Sequence, residues 1–199
     1  DPQKLLKNYG AEAIRFWAAI EGDLSKQDLS CSEEKIRAEL KTINKLLNVA
    51  KFVLQFDKPK KKLKLTKLDE LYIKNIDYET YRNEFNFDRY DFHKPALELR
   101  NFLWDSFASH YVELVKARAY NEEKLFTPEE CESARFTLHY LLERIVTLLY
   151  PIIPQVTSVI AKELKINLED FPSKFFPEPK VFDEPAIINK IEVFNSSIW

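Results

Sequence analysis

Only two of the 199 residues are glycine, Gly10 and Gly22, and this scarcity narrows the possible folds more than any other feature. Parallel α/β folds use glycine in tight βα turns, and two-residue β-hairpins use it at positive φ. A chain almost without glycine is expected to be built from helices. Hydrophobic residues make up 45% of it, enough for the core of one domain of generous size, or of one domain and a small appendage.

The helix boundaries are written in caps and apolar spacing. Asp1-Pro2 pairs an N-cap carboxylate with a proline at the first helical position. The short helix it starts runs to about Lys7 and stops near Asn8-Tyr9-Gly10. A second amphipathic helix runs to about Ile20, and EGDLSKQDLSCS is a loop. Ser32-Glu33-Glu34-Lys35 opens a long helix whose apolar positions Ile36, Leu40, Ile43, Leu47, Ala50 and Leu54 step by three and four. It ends near Phe56, and KPKKKLKLT is a basic linker. Another long helix starts behind Thr66 and reaches about Asn86, before a turn from Phe87 to Phe92.

The segment from His93 to Tyr120 reads as a third long helix with Ala96, Leu99, Leu103, Phe107, Tyr111, Leu114 and Val115 on one side. Thr127-Pro128-Glu129-Glu130 combines cap, proline and first-turn acids. Its helix runs to Tyr150, where YPIIP breaks it, and a shorter helix continues to about Leu164. NLEDFPSKFFPEPK reads as an irregular strap. A last amphipathic helix behind Asp183-Glu184-Pro185 places Ile187, Ile191, Phe194 and Ile198 at helical spacing. The sum is an all-α antiparallel helix bundle. Residues 1–30 form a helical segment attached to it, 31–165 the bundle, and 166–199 the strap and final helix.

Nothing in this pattern is an active site. There is no glycine-rich phosphate loop, no Cys/His metal spacing, and no His-Glu pair at zinc-protease spacing. His93, His110 and His139 lie in different helical stretches, and His110 in FASHYVELV reads as a helix-packing residue. No catalytic residue and no metal site is expected. Cys31 and Cys131 stand far apart in polar surroundings, which argues against a disulfide framework and for a reducing, cytosolic compartment. No apolar run approaches the roughly 18 residues that span a bilayer, and the N-terminus lacks a charged-then-apolar secretory signal.

With 30 basic and 32 acidic residues the net charge is −2, so any nucleic-acid contact must come from local patches. One such patch is the run Lys58 to Lys67, either a solvated linker or a loop of point charges against a phosphate backbone. The helix before it spreads Lys35, Arg37, Lys41, Asn44, Lys45, Asn48 and Lys51 over its polar side, where asparagine amides among cations can meet base edges. Asn48 has a second reading, as a buried helix-packing residue. Phe102, Trp104 and Tyr111 could stack bases, though aromatics at helical spacing in a bundle are usually core.

Four segments in order then resemble one family. DPQKLLKNYGAEAIRFWAA is similar to the segment that follows the Lys-Met-Ser-Lys-Ser signature in class I aminoacyl-tRNA synthetases of the valyl, isoleucyl and leucyl group. Its motif stands here as Tyr9-Gly10-Ala11-Glu12-Ala13-Ile14-Arg15, with Glu12 for the usual Asp. NKLLNVAKFV resembles the family's Asn-Lys-Leu-Trp-Asn-Ala-x-Arg-Phe helix, with Leu47 for Trp and Lys51 for Arg. YDFHKPALELRNFLWDSFASHYVELVKARAY and LLYPIIPQVTSVIAKEL resemble the next two helices, with Tyr150 for the usual His. Within the group, RFWAA, VELVKARAYN and IEVFNSSIW are most similar to valyl enzymes of archaeal and eukaryotic type, and isoleucyl enzymes come second.

The resemblance implies a non-catalytic, tRNA-binding piece of a class I synthetase. Residues 1–30 would be the stem-contact connection and the bundle the anticodon-binding domain. The chain contains no methionine, and the nucleotide-binding fold and any editing domain would lie upstream of Asp1. The whole enzyme would join valine to its tRNA using ATP and Mg²⁺; this piece would hold neither, and is expected to be a cytoplasmic monomer whose partner is a valine-specific tRNA. The expected nucleic-acid contacts are Lys41, Asn44, Asn48, Lys51, Phe56, Lys58, Lys60, Lys61 and Lys62. Where valyl members often carry an Arg one turn before the Asn-Lys pair, this chain has Leu40 and Lys41, so a guanidinium fork is missing there.

Overall fold

The computed structural model describes residues 1–22, 31–59, 64–168 and 186–198. They form α1 (Pro2–Glu21), α2 (Glu33–Val53), α3 (Lys67–Phe87), α4 (His93–Asn101), a π-helical segment (Phe102–Tyr111), α5 (Val112–Tyr120), α6 (Pro128–Leu149), α7 (Pro154–Leu164) and α8 (Ala186–Ile198). No strand occurs among the described residues. The fold is all-α, as the glycine scarcity predicts.

Caps set the helix starts. Asp1 accepts the Gln3 N–H at 2.9 Å, Ser32 accepts from Lys35, and Thr66 accepts from Asp69. Thr127 and Glu130 close a reciprocal capping box, each satisfying an amide that the first turn leaves without a partner. The expected break in the first helical stretch is a kink at Gly10, with φ 77° and ψ 162°. That positive φ favours glycine, and the space around the residue is open.

The segment from His93 to Tyr120 departs from expectation. It is continuous, but its middle is wound as a π-helix, with the Val112 N–H bonding the Phe107 carbonyl five residues back. The reason lies in the apolar spacing. Leu99, Leu103, Phe107, Tyr111, Val115 and Ala119 are fully buried and step by four throughout. In an unbroken α-helix a step of four drifts by about 40°; wider turns keep the series on one face. Leu114, expected on that face, is instead exposed. On α2 the buried face likewise includes Leu46, Val49 and Val53, while Leu54 is exposed.

A polar knot lies inside the bundle where α3, α5, α6 and the π-helical segment meet. Asp69, fully buried, accepts from Arg118 Nη2 at 2.7 Å, from Arg118 Nη1 at 2.9 Å and from Tyr111 Oη at 2.7 Å. It also accepts from the Ser133 hydroxyl. Ser133 Oγ in turn accepts the Thr66 N–H at 2.9 Å. Burial next to this carboxylate pushes the Tyr111 phenol well above its ordinary pKa. A buried charge so completely bonded is tolerated; the same charge short of a partner would not be.

The second half of α1 is fastened to the break between α6 and α7. Arg15 Nε donates to the Ile152 carbonyl at 2.8 Å. Glu12, itself buried, accepts the Gln155 and Val156 N–H groups at 3.1 Å each. Ile153 provides no side-chain cap for α7, so the carboxylate of α1 serves as one from a distance of more than a hundred residues in sequence. The Tyr9–Arg15 motif and the YPIIP segment, far apart in sequence, are thus partners in the fold.

In α8, Ile188 is fully buried against the bundle, whereas Phe194 is 64% exposed. The expected apolar face through Ile191 and Phe194 is therefore rotated toward Ile188; the side chains of Ile187 and Ile198 lie outside the described residues. Most of the expected strap, residues 169–185, also lies outside them.

Candidate nucleic-acid interface

The candidate residues on α2 fall into one line. Lys41, Asn44, Asn48 and Lys51 are all exposed and follow one another at spacings of three or four, which puts them on one face of a rigid helix. Asn48 is exposed, so its alternative reading as a buried packing residue is set aside. Gln55, also exposed, lies in the turn that follows the end of α2.

Lys45, on the same helix, lies with its ammonium 4.7 Å from the centre of the Trp104 ring. Trp104 is half-buried and donates its indole N–H to Thr42 Oγ1 at 3.0 Å. This arrangement holds a cation in one place on the α2 surface. Phe102 and Tyr111 are core residues.

Two of the remaining candidates are engaged elsewhere. Phe56 is only 8% exposed, and its ring packs T-shaped against Phe52 and Tyr120, with centroids 5.3 and 5.0 Å away. Expected as a base contact, it is a core residue, because the chain turns inward directly after α2 and the ring fills the end of the bundle. Its carbonyl bonds His139 Nε2 at 2.8 Å. Burial holds the pKa of His139 below its ordinary value. Lys58 holds both oxygens of Glu143 at 2.7 Å, so its charge is already compensated on the protein. Lys60, Lys61 and Lys62 lie outside the described residues.

Other features set bounds on the chemistry. Among the described residues no group of three His, Cys, Asp or Glu side chains is placed to hold a metal. Cys31 and Cys131 are free thiols. No described helix is long and apolar enough to cross a membrane.

The chain belongs to the family described as the anticodon-binding domain of tRNA ligase, which matches residues 82–198. It is similar to the valine--tRNA ligase of Aeropyrum pernix, 35% identical over all of this chain and 25% of that protein. Those of Pyrobaculum aerophilum (35% identical, 98% of this chain, 24% of that protein) and Nanoarchaeum equitans (31%, all of this chain, 25% of that protein) are also similar. The chain thus spans about a quarter of the length of these curated relatives. Among solved structures, apo methionyl-tRNA synthetase of Mycobacterium tuberculosis shares the fold, with a TM-score of 0.64 and 22% identity over 92% of this chain and 41% of that one.

Proposed function

We propose that this chain recognises the anticodon stem-loop of a tRNA, as the non-catalytic anticodon-reading part of a valine--tRNA ligase that uses ATP and Mg²⁺ in the cytosol. The observation that carries the reading is the exposed line Lys41, Asn44, Asn48 and Lys51 on one face of α2. Cations there neutralise phosphates, and amides fixed to a stiff helix discriminate base edges. The family match and the names of the archaeal relatives support tRNA as the partner and valine as the amino acid. The protein acts as a monomer in this reading.

Binding of labelled anticodon hairpins tests it. The hairpin with a valine anticodon is expected to bind more tightly than one with an isoleucine anticodon. If about four phosphates are neutralised, log K falls against log salt with a slope of about −3. Asn48→Ala is expected to weaken the cognate hairpin by about 1 kcal/mol, to leave the noncognate one nearly unchanged, and to leave the melting temperature in place. Salt-independent binding, or equal loss for both hairpins, would contradict the reading.

A further inference from the structure

The two halves of α1 are held to the bundle unequally. Beyond Gly10 the helix is fastened. Ala13 and Phe16 are each 1% exposed, Glu12 and Arg15 are bonded to the break between α6 and α7, and Glu21 pairs with Lys35 of α2. Before Gly10 no residue is buried. Leu5 and Tyr9 pack partly against the core, whereas Leu6 is 48% exposed. A segment as short as residues 2–9 does not hold a helix in water without support from packing.

The joint between the halves is Gly10. Its torsions, φ 77° and ψ 162°, break the helix, and nothing lies within 4 Å of the place a side chain would take. Glycine exchanges positive φ for other torsions at little cost. The first half can therefore move while Phe16 stays packed.

Among the described residues, Tyr9 supplies the polar tie from this first half to α2. Its Oη donates to Glu33 Oε2 at 3.1 Å and accepts from Arg37 Nη2 at 3.4 Å. Glu33 and Arg37 lie one turn apart and are both exposed, so these bonds form in competition with water and are of modest strength. Arg37 also has a second setting. Arg37, Lys41, Asn44, Asn48 and Lys51 are all exposed and follow one another by fours and threes along one face of α2. A phosphate on that face offers the guanidinium two charged oxygens in place of one phenol oxygen, which is the stronger arrangement. It also sets negative charge beside Glu33, the other half of the tie.

We propose that residues 2–9 form an arm hinged at Gly10 and latched onto α2 by Tyr9, and that an RNA phosphate taking Arg37 releases the latch. The release rests on the RNA-binding reading above; the latch itself does not. Hydrogen exchange at amides 6–9, set against amides 13–20, reads the arm separately from the rest of α1. Tyr9→Phe keeps the ring and removes the hydroxyl. It should speed exchange at 6–9 about fivefold, the factor for one ordinary hydrogen bond, and leave 13–20 unchanged. Glu33→Ala should act in the same direction, and the double variant should fall short of the two effects combined, because both cut one tie. A saturating full-length transcript of a tRNA with a valine anticodon should bring the unaltered chain to the Tyr9→Phe rate at 6–9, and should leave Tyr9→Phe as it is. Equal exchange in Tyr9→Phe and the unaltered chain would overturn the latch. Unchanged or slower exchange at 6–9 in the bound complex would overturn the release, while the RNA-binding reading stands. If the transcript does not bind, that reading and the release fall together, and Tyr9→Phe alone still decides the latch.

Discussion

Arg118 grips Asp69 with both prongs of its guanidinium, Nη2 to Oδ1 at 2.7 Å and Nη1 to Oδ2 at 2.9 Å, inside the bundle. The pair joins α5 to α3, and through Ser133 and Thr66 it also fixes the entry into α3. Near its end at Lys67, the Lys58–Lys67 run is therefore held by a rigid anchor at Thr66.

Removing one partner from this pair strands a buried charge. Arg118→Met is expected to cost about 3–5 kcal/mol in urea unfolding. Arg118→Lys should recover only part of that loss, since an ammonium cannot bond both carboxylate oxygens in the same fork. A loss below about 1 kcal/mol for Arg118→Met would show that the knot contributes little.

Glu12 holds the N-terminus of α7. Glu12→Ala should destabilise the chain by about 1–2 kcal/mol, the scale of a lost cap. Hydrogen exchange gives the more specific readout. The amides of Gln155 and Val156 should lose protection well beyond the change in global stability, while those in the middle of α6 follow the global change alone.

Lys58 is bonded to Glu143, so its charge contributes little to an outside phosphate. Lys58→Ala should leave the salt slope of hairpin binding almost unchanged. Glu143→Gln frees the ammonium and should steepen that slope by something approaching one contact, about 0.7–0.9. The reverse order of effects would mean that Lys58 leaves Glu143 when RNA binds.

His139 is buried, and desolvation lowers its pKa in the folded state below the ordinary 6.5. The unfolded chain then binds the additional proton first. The stability that neutral His139 contributes is complete above about pH 6.5 and is lost as pH falls toward the lowered folded value. Denaturation midpoints should therefore drop between pH 7 and pH 5. In His139→Gln that component of the drop should vanish. Equal pH profiles in the two proteins would exclude the histidine as its source.

Local signals in the sequence determined the helices. Gly10 marks the kink, Thr66 and Thr127 mark starts, and YPIIP marks a break, because each acts on backbone torsions or amides within a few residues. The line Lys41, Asn44, Asn48 and Lys51 was legible for the same reason, since helical spacing alone puts those side chains on one face. Tertiary structure decided the rest. The π-helical segment keeps a step-of-four apolar series facing one core over many residues, a demand set by packing against the other helices and not by local propensity. Phe56 and Lys58 look like loop contacts in sequence. Only folding brings Tyr120, Arg135 and His139 to the one and Glu143 to the other. Glu12 and the amides of α7, or Gln55 and Tyr120, meet only across distant parts of the chain. Such pairs leave no periodic trace in sequence, because long-range packing, unlike helix geometry, has no fixed spacing.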